Sequence, residues 1–230
     1  SGTVSNCPYG QLLTVPELSP NCENEMTRIE KRFAELRTAG KKAFIPYLTA
    51  GDPSLDVTRD LVLALEKAGA DVIELGVPFS DPIADGPVIQ RATERALHNG
   101  VTLQGVLELV KNIRIESDIP LVLFSYFNPL LNYGLETLGR DAASAGFDGI
   151  LASDLPVEES EVFSRFMRSA GLNTVFLVAP TSSPERMKKI AGASTGFLYA
   201  VSRTGVTGET QELGGDLKQF LQTLRTHTTL

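Results

Sequence analysis

Residues 73–90 read IELGVPFSDPIADGPVIQ. A short apolar run ends at Gly76, a loop carrying three prolines follows, and helical spacing of apolar residues resumes after Pro87. That is the strand, loop and helix order of a βα unit. Glu74 lies inside the strand, with Asp71, Asp81 and Asp85 crowded around it in sequence. Burying a lone carboxylate costs on the order of several kcal/mol, which leaves two readings of Glu74. It is a structural ion pair, or a general acid/base whose pKa burial raises toward neutrality at the strand end where barrel enzymes keep their chemistry. The prolines either stiffen the loop so that it holds Asp85 over the strand ends, or mark an ordinary solvated surface loop.

Outward from this stretch the same unit recurs. Apolar and β-branched runs at 43–48, 71–75, 121–126, 149–153, 174–179 and 196–202 predict six buried parallel strands. Helical patterns fall near 53–69, 87–116, 134–145, 157–170, 184–192 and 216–227. The junctions EKAGADVIEL, ASAGFDGIL and RSAGLNTVFL each place Ala-Gly at a helix end, where glycine can form a left-handed cap. Six units taken alone favour an open doubly wound α/β sheet, since a closed barrel has eight. Against the open sheet, no strand is followed by a phosphate-binding glycine fingerprint.

Composition narrows the function classes. The 230 residues, 42% hydrophobic, suffice for one large core, and 28 acidic against 21 basic residues give a net charge of −7. No basic stripe exists to track a nucleic-acid backbone. No apolar run approaches the roughly 20 residues of a membrane helix, and the first 27 residues lack Lys and Arg, so a cytoplasmic protein is expected. Residues 1–25, which hold both cysteines, Cys7 and Cys22, are rich in Pro, Ser, Asn and Gly. They read as a disordered or non-native extension ahead of a domain spanning 26–230, in which an amphipathic helix opens at Met26. His98 and His227 have no third ligand or nucleophile at useful spacing, which disfavours a metal site or a Ser-His-Asp triad. The loop SRTGVTGE at 202–209 suits either a mobile lid approaching an anion or an ordinary turn.

Five segments in order, PYLTAGDP (46–53), ELGVPFSDPIADGPVIQ (74–90), YFNPLLNYG (126–134), ILASDLPVEES (150–160) and SRTGVTG (202–208), resemble tryptophan synthase alpha subunits. The resemblance implies a (β/α)8 TIM barrel, with about six of its eight units in this chain. The implied activity is retro-aldol cleavage of indole-3-glycerol phosphate to indole and glyceraldehyde 3-phosphate, with no metal or organic cofactor. By the same match Glu74 is the acid/base and Asp85 the anion that accepts the indole N–H. Tyr47, Phe124, Leu151 and Tyr199 line the indole slot, Tyr126 lies close to Glu74, and Asp154 lies near the same strand ends. Thr207 is the lid residue that bonds the catalytic Asp, and Gly208 is a phosphate contact.

The family pattern continues beyond Leu230 with a seventh and an eighth strand whose loops bind phosphate, so the resemblance predicts a C-terminally truncated chain of doubtful activity. It also implies a partner, a pyridoxal-phosphate beta subunit joined in an alpha2-beta2 complex through PFSDP (78–82) and NPLLN (128–132). Two alternatives stay open: a non-catalytic module that docks on that subunit, and a standalone indole producer of the benzoxazinoid type.

Overall fold

Strands buried on both faces must satisfy two different surroundings, and alternation along each run divides the side chains between them. The computed structural model describes residues 26–202 and 217–230; the extension at 1–25, with its domain boundary, and the loop residues 203–216 lie outside them. Strands β1 (Tyr47–Thr49), β2 (Ile73–Gly76), β3 (Leu121–Ser125), β4 (Gly149–Ala152) and β5 (Asn173–Val175) pair in parallel in chain order. After Phe176, β6 (Leu177–Val178) pairs in parallel with β7 (Tyr199–Ala200). Backbone bonding runs through this break: Thr195, Tyr199 and Val201 donate to the carbonyls of Thr174, Phe176 and Val178 at 2.8, 3.1 and 2.8 Å. The predicted run 174–179 is thus one strand with two neighbours, and the described strands form one parallel arc of a (β/α) barrel.

The helices are α1 (Arg28–Thr38), α2 (Leu55–Lys67), α3 (Pro87–His98), α4 (Leu103–Ile113), α5 (Phe127–Tyr133), α6 (Leu135–Ala145), α7 (Glu161–Ser169), α8 (Pro184–Ala193) and α9 (Leu217–Arg225). The single helix expected over 87–116 is two. Gly100 takes a φ of 73° after the end of α3, and the Thr102 hydroxyl accepts the Gly105 N–H at 3.1 Å to start α4. α5 was not foreseen. Its first N–H, on Phe127, is held by Asp154 from the next βα loop at 2.6 Å, a partner distant in sequence.

Ile73, Leu75, Leu121, Leu123 and Ile150 face outward into a core shared with helix residues such as Val106, Leu138 and Phe163. Val72, Val122, Leu151 and Val175 face inward, and Ile29 of α1 joins them. α1 therefore lies under the barrel as its floor.

The repeated Ala-Gly junctions hold that helix. Gly69, Gly146 and Gly171 all have positive φ, and each turn delivers a polar residue, Asp71, Asp148 or Asn173, to the foot of a strand. Asp71 accepts the Phe44 N–H at 2.7 Å and Arg32 of α1 at 2.6 Å. Asp148 accepts the Leu121 N–H at 2.8 Å and Arg28 of α1 at 3.0 Å. Asn173, with its amide turned to satisfy both ends, donates to Thr27 at 2.8 Å. Thr27 and Glu30 cap α1 reciprocally, at 3.2 and 2.8 Å.

Asp148 is 5% exposed and also receives Arg114 at 2.9 Å. Burial pushes its carboxyl pKa up against these bonds and pulls the Arg114 guanidinium down. Asp148→Ala strands a half-buried guanidinium and a buried N–H, so urea unfolding should show a loss of about 3–5 kcal/mol. A loss below about 1 kcal/mol would mean that the arginines find other acceptors.

Candidate active site

Glu74 occupies the middle of β2, pointing into the barrel, and is 4% exposed. Among the described residues it has no ion pair and no hydrogen-bonding side chain. Burial alone pushes its pKa from 4.5 up to about 7. The structural ion-pair reading therefore fails, and so does the expected crowding of carboxylates. Asp71 lies three residues down the strand, about 10 Å away by strand rise, where it binds Arg32 at the floor. Asp81 is exposed on the loop.

Asp85 comes from the proline-rich loop, which curls over the strand ends. The Tyr126 hydroxyl donates to its Oδ2 at 3.0 Å, and the Ala84 N–H donates to that same hydroxyl at 3.0 Å. Gln90 donates to the Asp85 carbonyl at 3.0 Å. One phenol thus pins both the loop and its carboxylate. Burial raises the Asp85 pKa and the Tyr126 bond opposes the rise. Tyr126 itself is pushed up to about 12, chiefly by burial, so it stays a donor at neutral pH. Its hydrogen-bond partner is Asp85.

Three aromatic rings span the mouth of the arc. Tyr47 of β1 meets Phe124 of β3 edge-on at 5.4 Å, and Phe124 meets Tyr199 of β7 at 6.4 Å. The Tyr47 ring lies across β2 because Gly76 has no side chain; a Cβ there would overlap the phenol. Burial holds the Tyr47 hydroxyl pKa near 12. Tyr47, Phe124, Tyr126 and Asp85 line one small cleft. Leu151 does not line it; fully buried, it belongs to the inner core below. Thr207 and Gly208 lie outside the described residues.

Five lining residues were missed: Val77, Phe79, Pro82, Thr93 and Ser125. Phe79 packs on Tyr126 at 5.4 Å, and its place in the proline loop was the available sign. The buried Ser125 hydroxyl lines the cleft without a hydrogen-bond partner, and nothing in a strand sequence marks it. Among the described residues no group of three His, Cys, Asp or Glu side chains could hold a metal ion. No described helix is long and apolar enough to cross a membrane.

Because its folded pKa lies above its unfolded one, Glu74 leaves stability intact below about pH 4.5 and costs progressively more up to about pH 7. Glu74→Gln should therefore stabilise the chain by up to about 3 kcal/mol at pH 8 and by almost nothing at pH 4.5. Urea unfolding at both pH values checks this. An equal effect at the two would mean that the carboxyl is not desolvated.

The geometry can be set beside known proteins. A family model described as tryptophan synthase alpha chain matches residues 33–230. The tryptophan synthase alpha chain of Solibacter usitatus (strain Ellin6076) is 56% identical over 205 residues, covering 89% of this chain and 77% of that protein. The crystal structure of tryptophan synthase subunit alpha from Legionella pneumophila str. Paris superposes with a TM-score of 0.82 at 40% identity, covering 90% of this chain and 76% of that one. The tryptophan synthase complex from Pyrococcus furiosus gives 0.74 at 40% identity, covering 81% and 74%. Sequence and fold agree, and this chain belongs to the tryptophan synthase alpha chain family.

Proposed function

We propose that this chain cleaves indole-3-glycerol phosphate to indole and glyceraldehyde 3-phosphate, as a cytoplasmic step of tryptophan biosynthesis. The observation that carries the reading is Glu74: an uncompensated carboxyl in a dry strand, with a pKa of about 7, inside a barrel mouth lined by aromatic rings. At neutral pH it is present in both protonation states, as a group that gives and takes a proton in one cycle must be.

The protonated Glu74 gives its proton to C3 of the indole ring. The neighbouring glycerol hydroxyl then loses its proton to the carboxylate and becomes the aldehyde. The electron pair of the broken C–C bond returns to the ring. Positive charge appears meanwhile on the indole nitrogen, and Asp85, fixed by Tyr126, accepts its N–H. These steps close without a metal or an organic cofactor. Tyr47, Phe124 and Tyr199 flank the ring. Thr207 and Gly208 take the lid and phosphate roles on sequence resemblance alone.

The proposal includes docking on a beta subunit that receives the indole. Exposed apolar residues support it: Ile83 on the Asp85 loop is 81% exposed and Leu131 on α5 is 52% exposed. Both stand beside the cleft, in or next to the PFSDP and NPLLN segments. The same patch supports the second reading, a docking module without chemistry.

Glu74→Gln should lower turnover of indole-3-glycerol phosphate at least about 100-fold with an unchanged circular dichroism spectrum, and Asp85→Asn by a similar factor. Indole release within tenfold of the parent in both variants would remove the two carboxyls from the mechanism, and no release by the folded parent would leave only the docking reading. Separately, Ile83→Asp should weaken association with a tryptophan synthase beta subunit about tenfold or more in titration calorimetry. Unchanged affinity would remove this patch from the interface.

A further inference from the structure

We propose that Asp154, on the loop after β4, is a positioning residue for Asp85 and acts through Tyr126, by fixing the backbone from which that phenol reaches the carboxylate. β3 and β4 stay in parallel register up to Ser125 and Ala152, and the Ser153 N–H still donates to the Ser125 carbonyl at 2.9 Å. The next rung of a parallel ladder would take the Phe127 N–H to a carbonyl of the neighbouring strand. Instead the chain turns into α5 there, and Asp154 Oδ1 accepts the Phe127 N–H at 2.6 Å. Tyr126, the N-cap residue, gives α5 no side-chain bond. The first N–H of the helix is thus satisfied by a carboxylate from the next loop, a placement that the helix dipole also favours.

Tyr126 needs that hold because of where its other contacts come from. Its hydroxyl meets Asp85 Oδ2 and the Ala84 N–H, both at 3.0 Å, and its ring packs on Phe79 at 5.4 Å. All three partners belong to the proline-rich loop after β2, so they tie the ring to that loop. The ring is tied to the barrel by its own backbone. On the N-terminal side β3 holds it, where the Val77 N–H donates to the Phe124 carbonyl at 2.8 Å. On the C-terminal side Asp154 holds it, at the residue where strand becomes helix. The hydroxyl stands at the far end of the side chain, so a small turn of the backbone at 126–127 moves it off Asp85.

Asp154 can be removed without opening the core, because it is exposed while Tyr126 is buried. The loop that carries Asp85 has a hold of its own: Gln90 of α3 donates to the Pro82 and Asp85 carbonyls at 3.4 and 3.0 Å. Loss of Asp154 therefore loosens the aim of the phenol and leaves the loop in place. Nearness of the carboxylate to the phenol also shows in the Tyr126 hydroxyl, which is pushed up to about 12 by burial first, with the charges of Asp85 and Asp154 adding to the rise.

Only the effect on turnover rests on the proposed role of Asp85, so the first readout is structural. Amide hydrogen exchange on the full chain follows two N–H groups of the loop: that of Ala84, which donates to the Tyr126 hydroxyl, and that of Asp85, which donates to the Pro82 carbonyl at 3.1 Å. In Asp154→Ala the Ala84 N–H should exchange about tenfold faster while the Asp85 N–H keeps its rate. Asp154→Asn, whose amide oxygen can still accept the Phe127 N–H, should bring Ala84 back to within about twofold of the parent. With indole-3-glycerol phosphate, Asp154→Ala should lower kcat about tenfold and leave KM within about twofold. In a Tyr126→Phe background, where the link is already cut, the same substitution should cost less than about twofold. Unchanged Ala84 exchange, exchange that rises equally at Asp85, a tenfold loss on top of Tyr126→Phe, or a raised KM with kcat intact each overturns the inference. Faster Ala84 exchange in Asp154→Ala, when the parent chain releases no indole, upholds the positioning and sinks the cleavage reading instead.

Discussion

A buried acid with no cation beside it among the described residues is kept protonatable at neutral pH by the packing that keeps water away, and the described structure is arranged around that constraint. Below Glu74 lie Val72 and the floor helix. Beside it Val122 and the inner core close the barrel. Above it three aromatic rings narrow the mouth, leaving a small cleft where Asp85 enters from the side. A single arginine in this interior would lower the Glu74 pKa and spoil the acid. Among the described residues Arg32, Arg28 and Arg114 are instead held at the floor by Asp71 and Asp148.

The two carboxyls at the mouth are separated in character by their surroundings. Glu74 has burial and nothing to oppose it. Asp85 has partial burial opposed by a phenol that donates to it. One environment favours the exchange of protons and the other the retention of charge, a division of labour that paired carboxyls show when their pKa values are pushed apart. Tyr126 links the two ends of the arrangement. It fixes Asp85 with its hydrogen and receives the loop backbone with its oxygen, while Phe79 packs against its ring.

The repeated junction has two uses. In the chain it ends a helix and starts a strand, which any βα unit requires. In the fold the same turn brings Asp71, Asp148 and Asn173 to one end of the barrel, facing one helix. Periodicity in the sequence thus becomes a socket. The exposed Ile83 and Leu131 lie at the opposite, catalytic end, where a partner has access to the cleft.

Continuous apolar and β-branched runs and their spacing were enough to find every strand of the arc, since a strand buried on both faces has to be apolar along its whole length. The break between α3 and α4 was missed although its signals, Gly100 followed by Thr102, are local. Glu74 and Asp85 stood out because a carboxylate in an apolar strand and a proline-braced loop are both costly unless used. Other features were beyond the linear chain. α5 needs Asp154 from a different loop, Tyr126 meets Asp85 only once the loop has folded back, and Ser125 is left unpartnered by its neighbours' packing. Local spacing sets which residues share a face. Which faces meet, and therefore whether a carboxyl stays dry, is settled only when the strands curl around one another and a helix closes the end.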